Sequence, residues 1–257
     1  MGELIFHATV RHVRRSHRNA IAGLLLSMLQ SIIFVAVFYL MFSLIGVRSS
    51  PIPGDYLLYL MSGVFLFMFH TKAMSAVAKA EGPASTMMQH APLNTFVVIA
   101  AAGLSALYLQ TLSLFALLFL YHAIFTPVVI EDPVGAFGMV LLSWFSGVAV
   151  GTVFYAIRPW QPDLGNILTT VWSRANMVAS GKMFVANAMP GHLIAMFWWN
   201  PLFHVIDQAR GFIFLNYIPQ VTDWRYALCV SLGVYVVGMM GVSFTKKRAS
   251  ASWGAAR

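Results

Sequence analysis

Six stretches of the chain are dominated by apolar side chains: 20–46, 57–78, 96–125, 134–157, 164–186 and 226–244. An α-helix rises 1.5 Å per residue, so about 20 residues cross the hydrocarbon core of a bilayer. The pattern predicts an all-α integral membrane protein with six transmembrane helices. The first and third runs exceed the required length, which implies tilt or extension beyond the bilayer. The fifth is the least apolar, because Arg174, Asn176 and Lys182 interrupt it. A basic segment precedes the first run, as in a signal peptide. The run is longer than the roughly 7–15 residues of such an apolar region, so it reads as an uncleaved first span.

Three segments outside the spans carry their own patterns. In residues 3–18, Leu4, Ile5, Ala8 and Val13 fall near one side of a helix, with Arg11, Arg14, Arg15 and Arg18 beside them. This mixture predicts an N-terminal amphipathic helix at the membrane interface, facing anionic headgroups. A basic tail acting only as a topology signal is the alternative. Residues 79–95 are punctuated by Gly82-Pro83 and Pro92, leaving room for a short helix over 84–90 that could touch a soluble partner, or for a plain connecting loop. Residues 187–223 are far too apolar for a solvated loop, yet neither of their two apolar runs reaches spanning length, and Asn200-Pro201 follows the first of them. Two short helices dipping into and out of the membrane, a re-entrant helical hairpin between helices 5 and 6, satisfy both facts.

Charge then sets orientation. Only 9% of the residues are charged, against about 25% in soluble domains. The formal charge of +8 would point to nucleic acid in a soluble protein, but here the cations sit in short loops and determine topology. With the N-terminus inside, the inner segments carry Arg11, Arg14, Arg15, Arg18, Lys79, Arg158, Lys246, Lys247, Arg248 and Arg257. The outer segments carry Arg48, Arg210 and Arg225. Both termini therefore read as cytoplasmic, which agrees with an even number of spans. The single cysteine, Cys229, reads as a small packed residue.

Candidate chemistry is sparse. The eight acids are Glu3, Asp55, Glu81, Glu131, Asp132, Asp163, Asp207 and Asp223, and none lies deep within a clear span. No nucleophile elbow and no His-Glu-x-x-His pair is present. His204 and Asp207 stand three apart, which suits a hydrogen-bonded helix surface better than a metal edge without further ligands. Gly181-Lys182 resembles the end of a phosphate loop, but Asn176 replaces its first glycine and Met183 its hydroxyl. Intramembrane cations are more telling. A charge at mid-bilayer costs about 2.5–3.5 kcal/mol, so Arg174 should face a protein interior or an aqueous channel. Gly181, seven residues on, would share its helix face and widen a path. Lys182 lies nearer the outer end, where it could snorkel. Trp198, Trp199, Phe203, Tyr217 and Trp224 form either an interfacial aromatic belt or a stacking surface for sugar rings, whereas Phe34 and Phe38 read as lipid-facing.

Trp199-Asn200-Pro201-Leu202-Phe203-His204-Val205-Ile206-Asp207-Gln208-Ala209-Arg210 closely resembles a stretch of the capsular polysaccharide export permeases, the membrane subunits of type 2 ABC exporters. Ser180-Gly181-Lys182-Met183-Phe184, Asp223-Trp224-Arg225-Tyr226 and the basic tail are similar as well. The Arg-Pro pair often found before the third span is replaced by His90-Ala91-Pro92. The resemblance implies a single permease domain over 1–257: an interfacial helix (1–19), spans one to five (20–186), a re-entrant outer segment (187–223), span six (224–245) and a basic cytoplasmic tail (246–257). It implies a homodimer in the bacterial inner membrane, with a separate ABC ATPase subunit that binds ATP and Mg; this chain itself would bind no cofactor. Arg14, Arg15, Glu81, Gln89 and His90 would contact that ATPase. A polysaccharide or glycolipid would pass along Arg174, Gly181, Lys182, Trp198, Trp199 and Phe203 to periplasmic export proteins, with membrane lipids around the complex and no role for nucleic acid. Another cargo on the same architecture (an O-antigen, a teichoic acid or a drug) and an intramembrane enzyme using His70 or His122 are the alternatives.

Overall fold

A computed structural model describes residues 2–16, 20–44, 52–81 and 94–254. Helices account for about four-fifths of these, with no strand among the described residues. In chain order they are α1 (Gly2–Ser16), α2 (Ala20–Leu44), α3 (Tyr56–Ala78), α4 (Thr95–Ile124), α5 (Pro133–Ile157), α6 (Pro162–Ala179), a 3-10 turn (Ala186–Ala188), α7 (Gly191–Phe197), α8 (Pro201–Ile213) and α9 (Trp224–Gly254).

The helix starts are written locally. Asp55 accepts from the Leu57 and Leu58 N–H groups, and Asp132 from Val134 and Gly135, with Pro133 as the first residue of α5. Asn94, Asn200 and Asp223 make the equivalent bonds to Phe96, Leu202 and Arg225. Short polar acceptors followed by proline are the strongest helix-start signals available. Asp55 also accepts from Tyr121 and Thr126. Burial would raise its pKa, but these side-chain bonds and the two N–H groups outweigh burial and hold the carboxyl below its usual range.

Four helices are long and apolar enough to cross a membrane: Tyr56–Ala78, Thr95–Ile124, Pro133–Ile157 and Trp224–Lys247. The described part of α2 contributes a further apolar run, Leu25–Met41. Large apolar side chains on α2, α4 and α9, such as Leu40, Phe119 and Met240, lie uncovered. An all-helical chain with spanning helices and apolar outer faces is a membrane protein. Cys229 is exposed on α9, so it is not the packed residue expected of it.

The centre is α3, which touches α2, α4, α5, α6 and α8. Its closest partner is α5. A Cβ added at Gly147 would lie 2.2 Å from the His70 carbonyl oxygen, and one at Gly151 would lie 2.7 Å from that of Met74. The two glycines, four apart, let the helix backbones approach as small residues do in membrane helix pairs. α9 packs on the other side of α5, and α1 lies along α4.

Candidate functional site

The segment 180–226 is organised around α8, whose residues Pro201 to Asp207, Ala209 and Arg210 are all buried. Its polar side chains are spaced for one helical face, and each closes a different part of the surrounding chain. Asn200 donates to the Asn176 side chain (2.9 Å) and to the Ala179 carbonyl (3.0 Å), tying the start of α8 to the end of α6. His204 receives the Asp223 N–H on Nδ1 at 3.0 Å, so its proton is on Nε2, which donates to the Trp198 carbonyl at 2.6 Å. Asp207 accepts from Tyr217 (2.5 Å) and Thr222 (2.7 Å). Burial, and then the neighbouring Asp207 charge and hydrogen bond, push the Tyr217 phenol far above its ordinary range and keep it a donor.

Arg210 completes the clasp. Fully buried, it donates to the carbonyls of Gly181 (3.0 Å), Lys182 (2.8 Å) and Phe184 (2.7 Å), with its guanidinium 4.3 Å from the Tyr59 ring centroid. These are backbone acceptors just past α6, where no helical N–H remains to satisfy them. Arg210 was expected among the charges of the outer segments. It lies inside because a guanidinium can satisfy several carbonyls at once.

α6 ends at Ala179, seven residues before the expected end of the fifth span at 186. Gly181 follows with φ +73°, the left-handed conformation that terminates helices, and a Cβ there would lie 2.7 Å from the Phe203 ring. Gly181 therefore does not share a helix face with Arg174, as its spacing had implied. It lets Phe203 pack directly over the turn, and Phe203, only 1% exposed, lines no open surface.

Lys182 does not snorkel. It is 2% exposed, and its ammonium has no hydrogen-bond partner among the described residues. The Nζ lies 3.6 Å from the Phe67 ring centroid, 4.9 Å from Phe38 and 5.0 Å from Phe34. Phe34 and Phe38 are thus walls of a cation cage and not lipid-facing side chains. A desolvated cation–π contact contributes about 2 kcal/mol or more, whereas burying the ion costs several. Lys182→Met is therefore expected to raise the thermal midpoint in detergent, by the equivalent of about 1–2 kcal/mol. A lowered midpoint would mean that the rings outweigh the burial.

No protein-family model matches this chain, and no curated protein sequence does.

The other expected pathway residues are exposed. Arg174 stands on α6 in a row with Asp163, Asn166 and Thr170, all uncovered, and has no partner among the described residues. The opposite side of α6, carrying Gly165, Thr169, Trp172 and Asn176, packs on α3 and α5. Trp198 and Trp199, 47% and 54% exposed, sit at the corner between α7 and α8. Trp198 stacks near Tyr226 at 4.8 Å, and Trp199 meets Trp172 edge-on at 6.5 Å. Trp172 lies two residues from Arg174 and so on the far side of α6. The fold does not bring Arg174 and the tryptophans together.

Of the expected ATPase contacts, Glu81 closes the end of α3, where its carbonyl accepts from Tyr155 at 2.8 Å. Arg14 and Arg15 belong to α1, but their side chains, like Gln89, His90 and the short helix expected over 84–90, lie outside the described residues. His70 is fully buried, receiving the Trp172 indole N–H on Nε2 (3.0 Å) and donating from Nδ1 to Ser146 (2.8 Å). Both of its nitrogens are occupied without an acid. His122 accepts the Val128 N–H.

The clasp was visible in sequence only as a string of residue types. His204 and Asp207 were placed on a hydrogen-bonded helix surface, but their partners at 198, 217, 222 and 223 are set by the return of the chain. The cage escaped because its rings lie on α2 and α3, more than 100 residues from Lys182.

Proposed function

We propose that this chain is the membrane subunit of an ABC-type exporter that moves a polysaccharide or lipid-linked glycan across the bacterial inner membrane. Two copies form the pathway, and a separate ATPase subunit supplies the energy. The observation that carries the reading is the uncovered polar row on α6. Lipid would have to receive Asn166, Thr170 and Arg174 at a cost of about 2.5–3.5 kcal/mol for the arginine alone. Facing a second copy of the chain across an aqueous path removes that cost. The clasp supports the reading further, because its members are the residues through which the chain resembles capsular polysaccharide permeases.

In this reading α2 and α6 join the four candidate spanning helices as six spans, and α7 and α8 form a re-entrant hairpin on the outer side. Both termini are cytoplasmic, and removing buried Arg210 from the outer charges strengthens the positive-inside bias. Sugar rings leaving the path meet Trp198 and Trp199.

Arg174→Ala is expected to lower surface glycan severalfold at unchanged membrane abundance. Exposed Phe119 on α4 supplies the lipid-facing control, since Phe34 and Phe38 do not. Normal export by Arg174→Ala would remove the pathway role. Independently, the chain solubilised from its native membrane should retain a nucleotide-hydrolysing subunit, and its isolation alone under conditions that preserve other such complexes would overturn the exporter reading.

A further inference from the structure

A seam between α2, α3 and α4 changes character along its length. At the end where α2 and α4 begin and α3 finishes, it opens into a cavity of about 560 Å³ lined by polar side chains from all three helices. Lys72 and Lys79 project into it from α3, seven residues and so about 10 Å apart along the helix. Lys72 donates to Gln30 on α2. Ser27, one turn earlier on α2, points its hydroxyl at the Gln110 carbonyl oxygen on α4 at 3.4 Å. Gln110 is 2% exposed, and its amide nitrogen has no partner among the described residues. A buried N–H donor facing a polar cavity is costly unless something accepts from it. Among the described residues of the lining the charges are Lys72, Lys79 and Glu81, positive on balance.

Beyond this cavity the same three helices enclose an apolar cleft of about 420 Å³, reaching Ile124 and Phe125 on α4, with Ala36 and Leu117 on its walls. From Gln110 to Ile124 is 14 residues, roughly 21 Å, somewhat more than half of the ~30 Å hydrocarbon core. Measured along α3, from Lys79 at the polar end to Leu57 at the apolar end, head and tail sites together run 22 residues, roughly 33 Å.

We propose that this seam holds a phosphate-bearing amphiphile, its phosphate received by Lys72, Lys79 and the Gln110 amide and its hydrocarbon chain laid in the apolar cleft. The inference is independent of the exported cargo and of the ATPase. The seam lies away from the polar row of α6, so the site is separate from the proposed pathway.

The test uses the full purified chain in detergent, with native mass spectrometry counting retained lipid. Phosphatidylglycerol should be retained well above phosphatidylcholine. Neutralising the lysines should weaken retention by about fivefold each, and the Lys72→Gln/Lys79→Gln double variant by more than tenfold. Ala36→Trp, which fills the cleft without touching a charge, should weaken lipid retention but leave any response to inorganic phosphate intact. Should Lys72→Gln fail to give a monodisperse protein, Lys79→Gln at the exposed mouth and Ala36→Trp carry the same comparison. Competition by millimolar inorganic phosphate would support the phosphate site and name the free anion as a second source. Equal retention of the two lipids, or undiminished phosphatidylglycerol in the lysine and Ala36 variants, would overturn the proposal.

Discussion

Replacing Gly147 by leucine is expected to prevent a monodisperse helix bundle from forming. Even the first added carbon would sit 2.2 Å from the His70 carbonyl oxygen, a backbone atom that no rotamer change can move. Relief requires parting α3 from α5, and the strain repeats one turn away, where Gly151 meets Met74. Overpacking a core costs about 1–3 kcal/mol when side chains can yield, and more when only backbone can. The separation would also pull Ser143 from the Leu66 carbonyl and Ser146 from His70. The whole of α3 supports the other helices, so the damage would spread. Fluorescence-detected size exclusion is the readout. Gly233→Leu on α9, where an added Cβ meets nothing within 4 Å, should elute normally. Normal elution of Gly147→Leu would mean that the two helices do not meet as described.

Arg210→Met is expected to cost about 3–5 kcal/mol and to lower the thermal midpoint in detergent sharply. The substitution keeps an apolar stem but leaves the carbonyls of Lys182 and Phe184 without their donor, and that of Gly181 with only the Phe184 N–H at 3.3 Å. Arg210→Lys retains the charge and loses the fork, so it should fall between Met and wild type. Arg225, at the exposed start of α9, serves as comparison, and its alanine variant should stay within about 0.5 kcal/mol. If Arg210→Met melted with wild type, the clasp would not be holding the turn after α6.

Much of this was legible from residue pattern, and the reasons differ between elements. The long apolar helices follow from run length, and their starts from Asp55, Asp132, Asn200 and Asp223 with the prolines beside two of them. The break between α7 and α8 at Asn200-Pro201 was equally plain, because proline removes a donor and asparagine caps. The early end of α6 was not read, although Gly181 announced it, because the apolar residues beyond it prolong the hydropathy signal. They prolong it for a different reason: Val185 and Ala186 are buried against protein and continue no helix. Charge alone placed Lys182 near the outer end of the fifth span and Arg210 among the outer charges. Their burial depends on three distant rings in one case and three spent carbonyls in the other, and no local window contains either set.

The lysine cage has a mechanical consequence. Most of the ties around α8 are hydrogen bonds, which weaken steeply once their angle departs from linear and so hold their partners in register. The contact between Lys182 and α2 is of another kind. An ammonium above the faces of Phe34 and Phe38 is held by a smooth field without a preferred donor direction. Those two rings are successive turns of one helix, 5.7 Å apart, so a shift of α2 along its axis replaces one ring by the next beneath the same charge. No bond need be fully broken before another forms. The joint between α2 and the turn after α6 behaves as a bearing set beside a row of rivets, and the travel of α2 is limited instead by the hydrogen bonds that tie its Gln30 to Lys72 and its Ser27 to Gln110.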